Sequence, residues 1–181
     1  MEQNSDFQLV TAAQRGCVQS FGVLYERYFR AVAAIGYAVL GHREAAEDLA
    51  QEVFVIACRD LDRLKRPDRF GAWVAGICRN QARRVLRAAG RTAIQPLSFD
   101  VEARAGRSEH ELDVLRAALA GLKPAERELI ALRYHDNLPY ERIGAVLNCS
   151  TRAVNGRLIR ARDKIARYLK RHGLMGDEDE T

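Results

Sequence analysis

The chain is poor in the residues that staple or metallate a small fold. Its 181 residues include four cysteines, Cys17, Cys58, Cys78 and Cys149. They are widely spaced and form no C-x-x-C pair, which argues against a zinc ribbon and a secreted disulfide framework. Each lies beside apolar residues, as a small core residue would, so four buried structural thiols are expected. The alternative is a redox or metal role involving His42. No apolar run approaches the length of a membrane span. The opening Met1-Glu2-Gln3-Asn4-Ser5-Asp6 has neither a basic leader nor an apolar stretch. No signal peptide and no membrane insertion are therefore expected, and a cytoplasmic protein is.

Catalytic signatures are missing too. His42, His110, His135 and His172 are scattered, and the chain has no H-E-x-x-H, P-loop or nucleophile elbow. The nearest paired acids, Glu47, Asp48 and Glu52, sit on a helix that reads as exposed. The expectation is a non-enzyme with no cofactor and no metal site. What the chain does have is 48% hydrophobic residues, enough for ordinary cores, and a net charge of +5. That excess favours a polyanionic partner, because clustered Lys and Arg release counterions from a phosphate backbone.

The segment from Asn137 to Arg162 carries the most specific pattern. Pro139 suits a first helical position, Ile143, Val146 and Leu147 recur at helical spacing, and Asn148 can adopt the left-handed conformation that ends a short helix. Ser150 or Thr151 then caps a second helix, whose Val154 and Leu158 pack against the first. That packing leaves Arg152, Asn155, Gly156, Ile159 and Arg160 outward, with Arg157, Arg162, Lys164 and Arg167 continuing the basic character. This is a helix-turn-helix whose second helix can lie in a DNA major groove.

Helical periodicity dominates elsewhere, with no convincing alternating strand, so the fold expected is all-α. Helices are predicted over 7–16, 21–40, 43–61 and 70–89, then 111–120 and a further one opened by Lys123-Pro124-Ala125-Glu126-Arg127-Glu128. Residues 61–69 read as a basic loop. Between 90 and 110 the pattern dissolves into Gly, Pro, Ser and charged residues, which is a linker. The acidic tail should fray. Two small helical domains joined by a flexible tether are expected.

Two further surfaces stand out. Glu44, Glu47, Asp48, Gln51 and Glu52 fill the first half of the third helix, and Asp48, Gln51 and Glu52 share one face. Such a face repels DNA and attracts a cationic protein surface. Alternatively, it is a solvated helix whose acids favour the N-terminal dipole. The fourth helix has Phe70, Trp73, Val74 and Ile77 as an inward stripe, while Arg79, Arg83 and Arg87 recur every four residues beside Asn80 and Arg84. Like charges at that spacing repel, and a phosphate backbone relieves them. Arg63, Lys65, Arg66 and Arg69 lengthen the track, and exposed aromatic or amide groups beside it can hold an unstacked base. Equally, Phe70 and Trp73 are simply core and the arginines solvated.

Taken together, these segments resemble the sigma-70 superfamily of bacterial transcription initiation factors, in particular the small extracytoplasmic function (ECF) type. Residues 44–54 look like the region-two helix that docks on core RNA polymerase. That implies binding to the β′ coiled coil, with β as the further polymerase contact, through Glu47, Asp48, Leu49, Gln51, Glu52 and Val53. Residues 70–82 are similar to the helix behind the promoter -10 element. By that resemblance Arg63, Lys65, Arg66, Arg69, Phe70, Trp73, Arg79, Asn80, Arg83 and Arg84 bind and help melt the -10 DNA. Residues 122–162 look like region four, so that Ser150, Thr151, Arg152, Asn155, Gly156, Arg157, Ile159 and Arg160 read the -35 element.

The implied layout is a region-two domain at 1–89, a linker at 90–110, a region-four domain at 111–172 and an acidic tail at 173–181. The implied partners are core polymerase, promoter DNA and an anti-sigma factor. Where relatives commonly carry Gly-Thr-Val-Lys-Ser-Arg, this chain has Arg152-Ala153-Val154-Asn155-Gly156-Arg157. Two other functions fit subsets of these features. One is a helix-turn-helix regulator using the acidic helix to oligomerise; the other is a polymerase-binding decoy.

Overall fold

The computed structural model describes residues 4–90 and 108–174. Residues 91–107 of the expected linker and 175–181 of the expected acidic tail lie outside them. The described residues form eight α-helices and no strand.

The first bundle begins with α1, Asp6–Gln14, opened by a reciprocal capping box between Ser5 and Gln8. The long α2, Val18–Leu40, stops where Gly41 takes a left-handed φ of 72°. His42 then caps α3, Arg43–Arg59, its ring nitrogen accepting the Ala45 amide. Two short 3-10 turns, Leu61–Arg63 and Pro67–Arg69, lead into α4, Phe70–Ala88, so the expected basic loop is in fact locally helical. Helix α2 is central, and its Leu24, Tyr28, Val32 and Ile35 are buried between α3 and α4. Phe21, Tyr25 and Phe29 gather around Phe54 of α3, with Tyr25 and Phe54 meeting edge to face at 4.8 Å.

Asp6 ties α1 to this bundle. It accepts the Tyr28 hydroxyl and pairs with Arg27 at 2.6 Å. Burial first, and the Asp6 carboxylate second, push the Tyr28 hydroxyl well above its ordinary value and keep it protonated as a donor.

The second bundle starts with a Ser108–Glu111 capping box and α5, Glu109–Ala120, two residues earlier than the sequence pattern suggests. Pro124 opens α6, Pro124–Ile130, which runs directly into a π-helical turn, Ala131–His135. Lys164 of the last helix pairs with Glu126, whose carboxyl is held below its usual value chiefly by that contact. Then come α7, Tyr140–Leu147, and α8, Thr151–Arg171. The expected turn chemistry is present: Asn148 is left-handed at φ 51°, and Ser150 caps α8 by accepting the Ala153 amide at 3.2 Å. Val154, Leu158 and Ala161 of α8 close on Ile143 and Val146 of α7.

The two bundles touch. Helix α4 lies along α7, and α2 meets α6 and the π turn, so one apolar cluster runs through both. The thiols depart from expectation: Cys78 is buried, but Cys17 and Cys149 are half-buried and Cys58 is exposed on the outer side of α3. A cysteine next to apolar residues in sequence still faces solvent when its helical position points outward.

The α7–α8 turn leaves no room at Gly144. A β-carbon there would lie 2.6 Å from the carbonyl oxygen of Cys149, a backbone atom that cannot yield cheaply. Gly144→Ala is therefore expected to destabilise the protein by about 1–3 kcal/mol. Chemical denaturation checks this, and an unchanged midpoint would mean that the turn is looser than its geometry.

Candidate nucleic-acid interface

Three faces carry the charged residues singled out in the sequence. On α3, Asp48, Gln51 and Glu52 are exposed on one side, and Glu47 beside them pairs with Arg43 at 3.0 Å. Exposed Val55, one turn further on, adds an apolar spot to this acidic face. Leu49 and Val53 correct the expectation. They are 4% and 0% exposed, point into the bundle, and hold the helix in place without being able to touch a partner.

On α4, the apolar stripe of Phe70, Val74, Ala75, Cys78 and Ala82 is buried, which turns Asn80, Arg83, Arg84 and Arg87 to solvent. Phe70 is a second correction. At 0% exposure, packed on Tyr28 and Trp73, it belongs to the core and cannot stack on a base. Trp73 is half-buried against the same core. The preceding turns expose Arg63, Lys65, Arg66 and Arg69, but Asp60 and Asp68 pair with Arg63, Arg66 and Arg69. The track is therefore less positive than its arginines alone suggest. Cys78 beneath it has its thiol pushed up to about 12, mainly by burial and then by the Glu128 carboxylate, which leaves it inert.

On α8, burial of Val154, Leu158 and Ala161 leaves Thr151, Arg152, Asn155, Arg157, Ile159 and Arg160 exposed along the outer side. Ile159 is 49% exposed among them, an apolar side chain of the kind that meets a thymine methyl. Ser150 instead has its hydroxyl committed to the cap. Gly156 is half-buried in mid-helix, and a β-carbon there would meet only an Arg160 guanidinium nitrogen, at 3.6 Å. Packing therefore does not demand this glycine.

The structure also joins residues that periodicity could not connect. Arg79 of α4 grips Glu128 of α6 with two nitrogens, at 2.6 to 3.2 Å, and Glu128 raises the Arg79 pKa further. Arg69 hydrogen-bonds Asn148 in the helix-turn-helix turn. Arg142 of α7 lies 4.8 Å over the Tyr28 ring, His135 stacks on Tyr37 at 4.4 Å, and Arg30 reaches Asp136. Among the described residues no cluster of His, Cys, Asp or Glu could hold a metal ion, and no helix is long and apolar enough to cross a membrane.

Comparison with known proteins places these faces. The family model for Sigma-70 region 2 matches residues 24–92 and that for Sigma-70, region 4 matches residues 112–165. The ECF RNA polymerase sigma-E factor of Escherichia coli strain K12 is 30% identical over 183 residues, covering 91% of this chain and 94% of that one. The chain belongs to the sigma-70 family as an ECF-type sigma factor. A probable sigma factor of Xanthomonas campestris pv. campestris, RfaY, is 32% identical and covers 87% of this chain and 42% of its own length.

Two solved structures share the arrangement. CnrH, in complex with the cytosolic domain of CnrY, superposes with a TM-score of 0.57 at 30% identity, over 92% of this chain and 98% of that one. The sigma factor RpoE of Bartonella quintana, in complex with the anti-sigma factor NepR, gives 0.52 at 25% identity, over 84% and 98%. As a sigma factor the protein is a non-catalytic polymerase subunit that directs promoter-specific initiation. The α3 and α4 faces lie in its region 2, and the α7–α8 pair in its region 4.

The glycine in the recognition helix gives a stability test. Gly156→Ala should raise the stability of this sigma factor by up to about 1 kcal/mol, since Ala restricts the unfolded chain and fits the helix. A thermal melt checks this, and a fall in Tm would reveal a packing role that the 3.6 Å clearance does not show.

Proposed function

We propose that this sigma factor divides its work among the three faces. Asp48, Gln51 and Glu52, with Glu47 beside them, dock on a basic surface of the β′ subunit, with β as a further contact. Arg63, Lys65, Arg66, Arg69, Asn80, Arg83 and Arg84, with Trp73, hold the -10 DNA, and Arg79 joins them when it is free of Glu128. Arg152, Asn155, Arg157, Ile159 and Arg160 of α8 enter the major groove of the -35 element, while Gly156 lets the backbone approach closely. The observation that carries this reading is the exposure pattern of α8, where Val154, Leu158 and Ala161 are buried and Thr151, Arg152, Asn155, Arg157 and Arg160, with Ile159, form an outer strip. Asn155 suits adenine, and Arg157 or Arg160 suits guanine or phosphate.

The reading extends to domain limits of 1–89 and 111–172, to work in the cytoplasm beside the polymerase, and to an anti-sigma factor that holds the protein inactive. Support for the last comes from the superposed RpoE of Bartonella quintana, solved with the anti-sigma factor NepR.

Two substitutions test the division separately. Asp48→Lys should weaken binding to core polymerase severalfold in a pull-down or titration while leaving affinity for -35 duplex unchanged. Equal core affinity would remove the α3 face from the interface. Arg160→Ala should lower -35 affinity by roughly tenfold and, where the contact is to phosphate, flatten the dependence of log K on log salt by about one unit. A titration giving the same affinity and slope would take Arg160 off the DNA.

A further inference from the structure

The basic residues of α8 continue past its DNA-reading half. Arg157, Arg160, Lys164, Arg167 and Arg171 follow one another at steps of three and four residues, so they share one side of the helix over about 21 Å, at roughly 1.5 Å per residue. Lys164 is matched by the Glu126 carboxylate. Among the described residues no carboxylate pairs with Arg157, Arg160, Arg167 or Arg171, and all of these are exposed. Asp163 lies within a turn of Arg160 and Arg167, but what it gives Arg167 is its main-chain carbonyl, which accepts Nε at 3.2 Å. Like charges at this spacing repel, and an anion along the stripe relieves them. A major groove about 12 Å wide takes only the first half of so long a helix, which leaves Arg167 and Arg171 beyond it.

The same helix ends in a turn that doubles back. Gly173 is left-handed at φ 72°, its amide bonds the Lys170 carbonyl at 3.1 Å, and the Leu174 amide bonds the Leu169 carbonyl at 3.0 Å. These bonds bring Leu174 beside Leu169 and keep the chain from continuing along the helix axis. At the third residue after Leu174 begins Asp177-Glu178-Asp179-Glu180, an unbroken run of carboxylates. We propose that this acidic segment docks on the arginine stripe of α8 in its own chain and competes with promoter DNA for Arg160. The proposal rests on the assignment of α8 to the -35 element made above. Three to six residues of chain span at most about 10 to 20 Å. That reaches Arg171 and Arg167 and, near full extension, Arg160, about 14 Å back along the helix from Leu169. A carboxylate pairs with a guanidinium as a phosphate does, and the tether holds these acids at an effective concentration on the order of millimolar. Exposed ion pairs are individually weak, so docking is partial, and the apparent DNA affinity falls to the fraction of molecules whose stripe is open.

The test uses the full-length protein, a neutralised variant (Asp177→Asn, Glu178→Gln, Asp179→Asn and Glu180→Gln), a variant with Arg167→Ala and Arg171→Ala, and all of these substitutions combined. None of these residues belongs to the proposed DNA-contacting set. Affinity is titrated on a fluorescent random-sequence DNA duplex at low salt. Neutralising the acids should tighten binding roughly threefold or more. Because their removal also lessens general repulsion, the arginine pair decides the cause. If the acids dock, Arg167→Ala with Arg171→Ala releases them, and its effect on affinity is about twofold or more better in the parent than in the neutralised background. Equal factors in the two backgrounds overturn the docking. Without DNA, the side-chain Nε–H NMR signals of Arg160, Arg167 and Arg171 should differ between parent and neutralised variant at low salt and converge at about 1 M salt, where exposed pairs are screened. The signals of Arg83 and Arg84 on α4 should stay in place. Unmoved α8 signals overturn the docking as well. Shifted α8 signals with unchanged DNA affinity overturn the competition, and the fault then lies in the assignment of α8 to DNA.

Discussion

Arginine at every fourth position of a helix repels itself, and α4 carries Arg79, Arg83 and Arg87 in that arrangement above an apolar stripe that fixes its orientation. The stripe cannot turn over without exposing Phe70, Val74 and Cys78, so the basic face is held outward by the core beneath it. An anion beside such a face relieves its self-repulsion. In the free chain part of that need is met internally, by Glu128 at Arg79 and by the aspartates interleaved with the arginines of the preceding turns. In the proposed promoter complex, phosphates supply the rest. The acidic side of α3 and the outer strip of α8 follow from the same logic, because each is the solvent side of a helix whose inner side is fully committed to packing.

The parts of this protein that were legible in the sequence are those set by local chemistry. Asn148, Ser150 and the Val154–Leu158 pair define the helix-turn-helix because a left-handed residue, a cap and a helical spacing act over a few residues, and all stand where the pattern put them. Even Pro139 is displaced by only one position, ending as the residue before α7. Gly41 and His42 likewise form the expected break between α2 and α3.

The faces were less legible than the helices. Phe70, Leu49 and Val53 lie within functional segments yet are swallowed by the core, since a segment's resemblance to a binding helix does not say which of its side chains face out. Cys58 erred in the opposite direction. The Arg79–Glu128 pair was invisible for a different reason. Its members are 49 residues apart, and no periodicity links a charge on one bundle to a charge on another. Long-range pairing is a property of the packed chain, so the contact between regions 2 and 4 emerges only in three dimensions.

The proposed division of promoter binding between regions 2 and 4 is tested most directly by one distance. Spin labels at exposed Val85 of α4 and Arg171 at the end of α8 report the separation of regions 2 and 4, measured in the free protein and again with core polymerase and promoter DNA. A sigma factor whose regions 2 and 4 occupy the -10 and -35 elements gives the short separation of the packed structure when free and one on the order of 85 Å on the promoter, about 25 base pairs at roughly 3.4 Å each. The same separation in both states would contradict it.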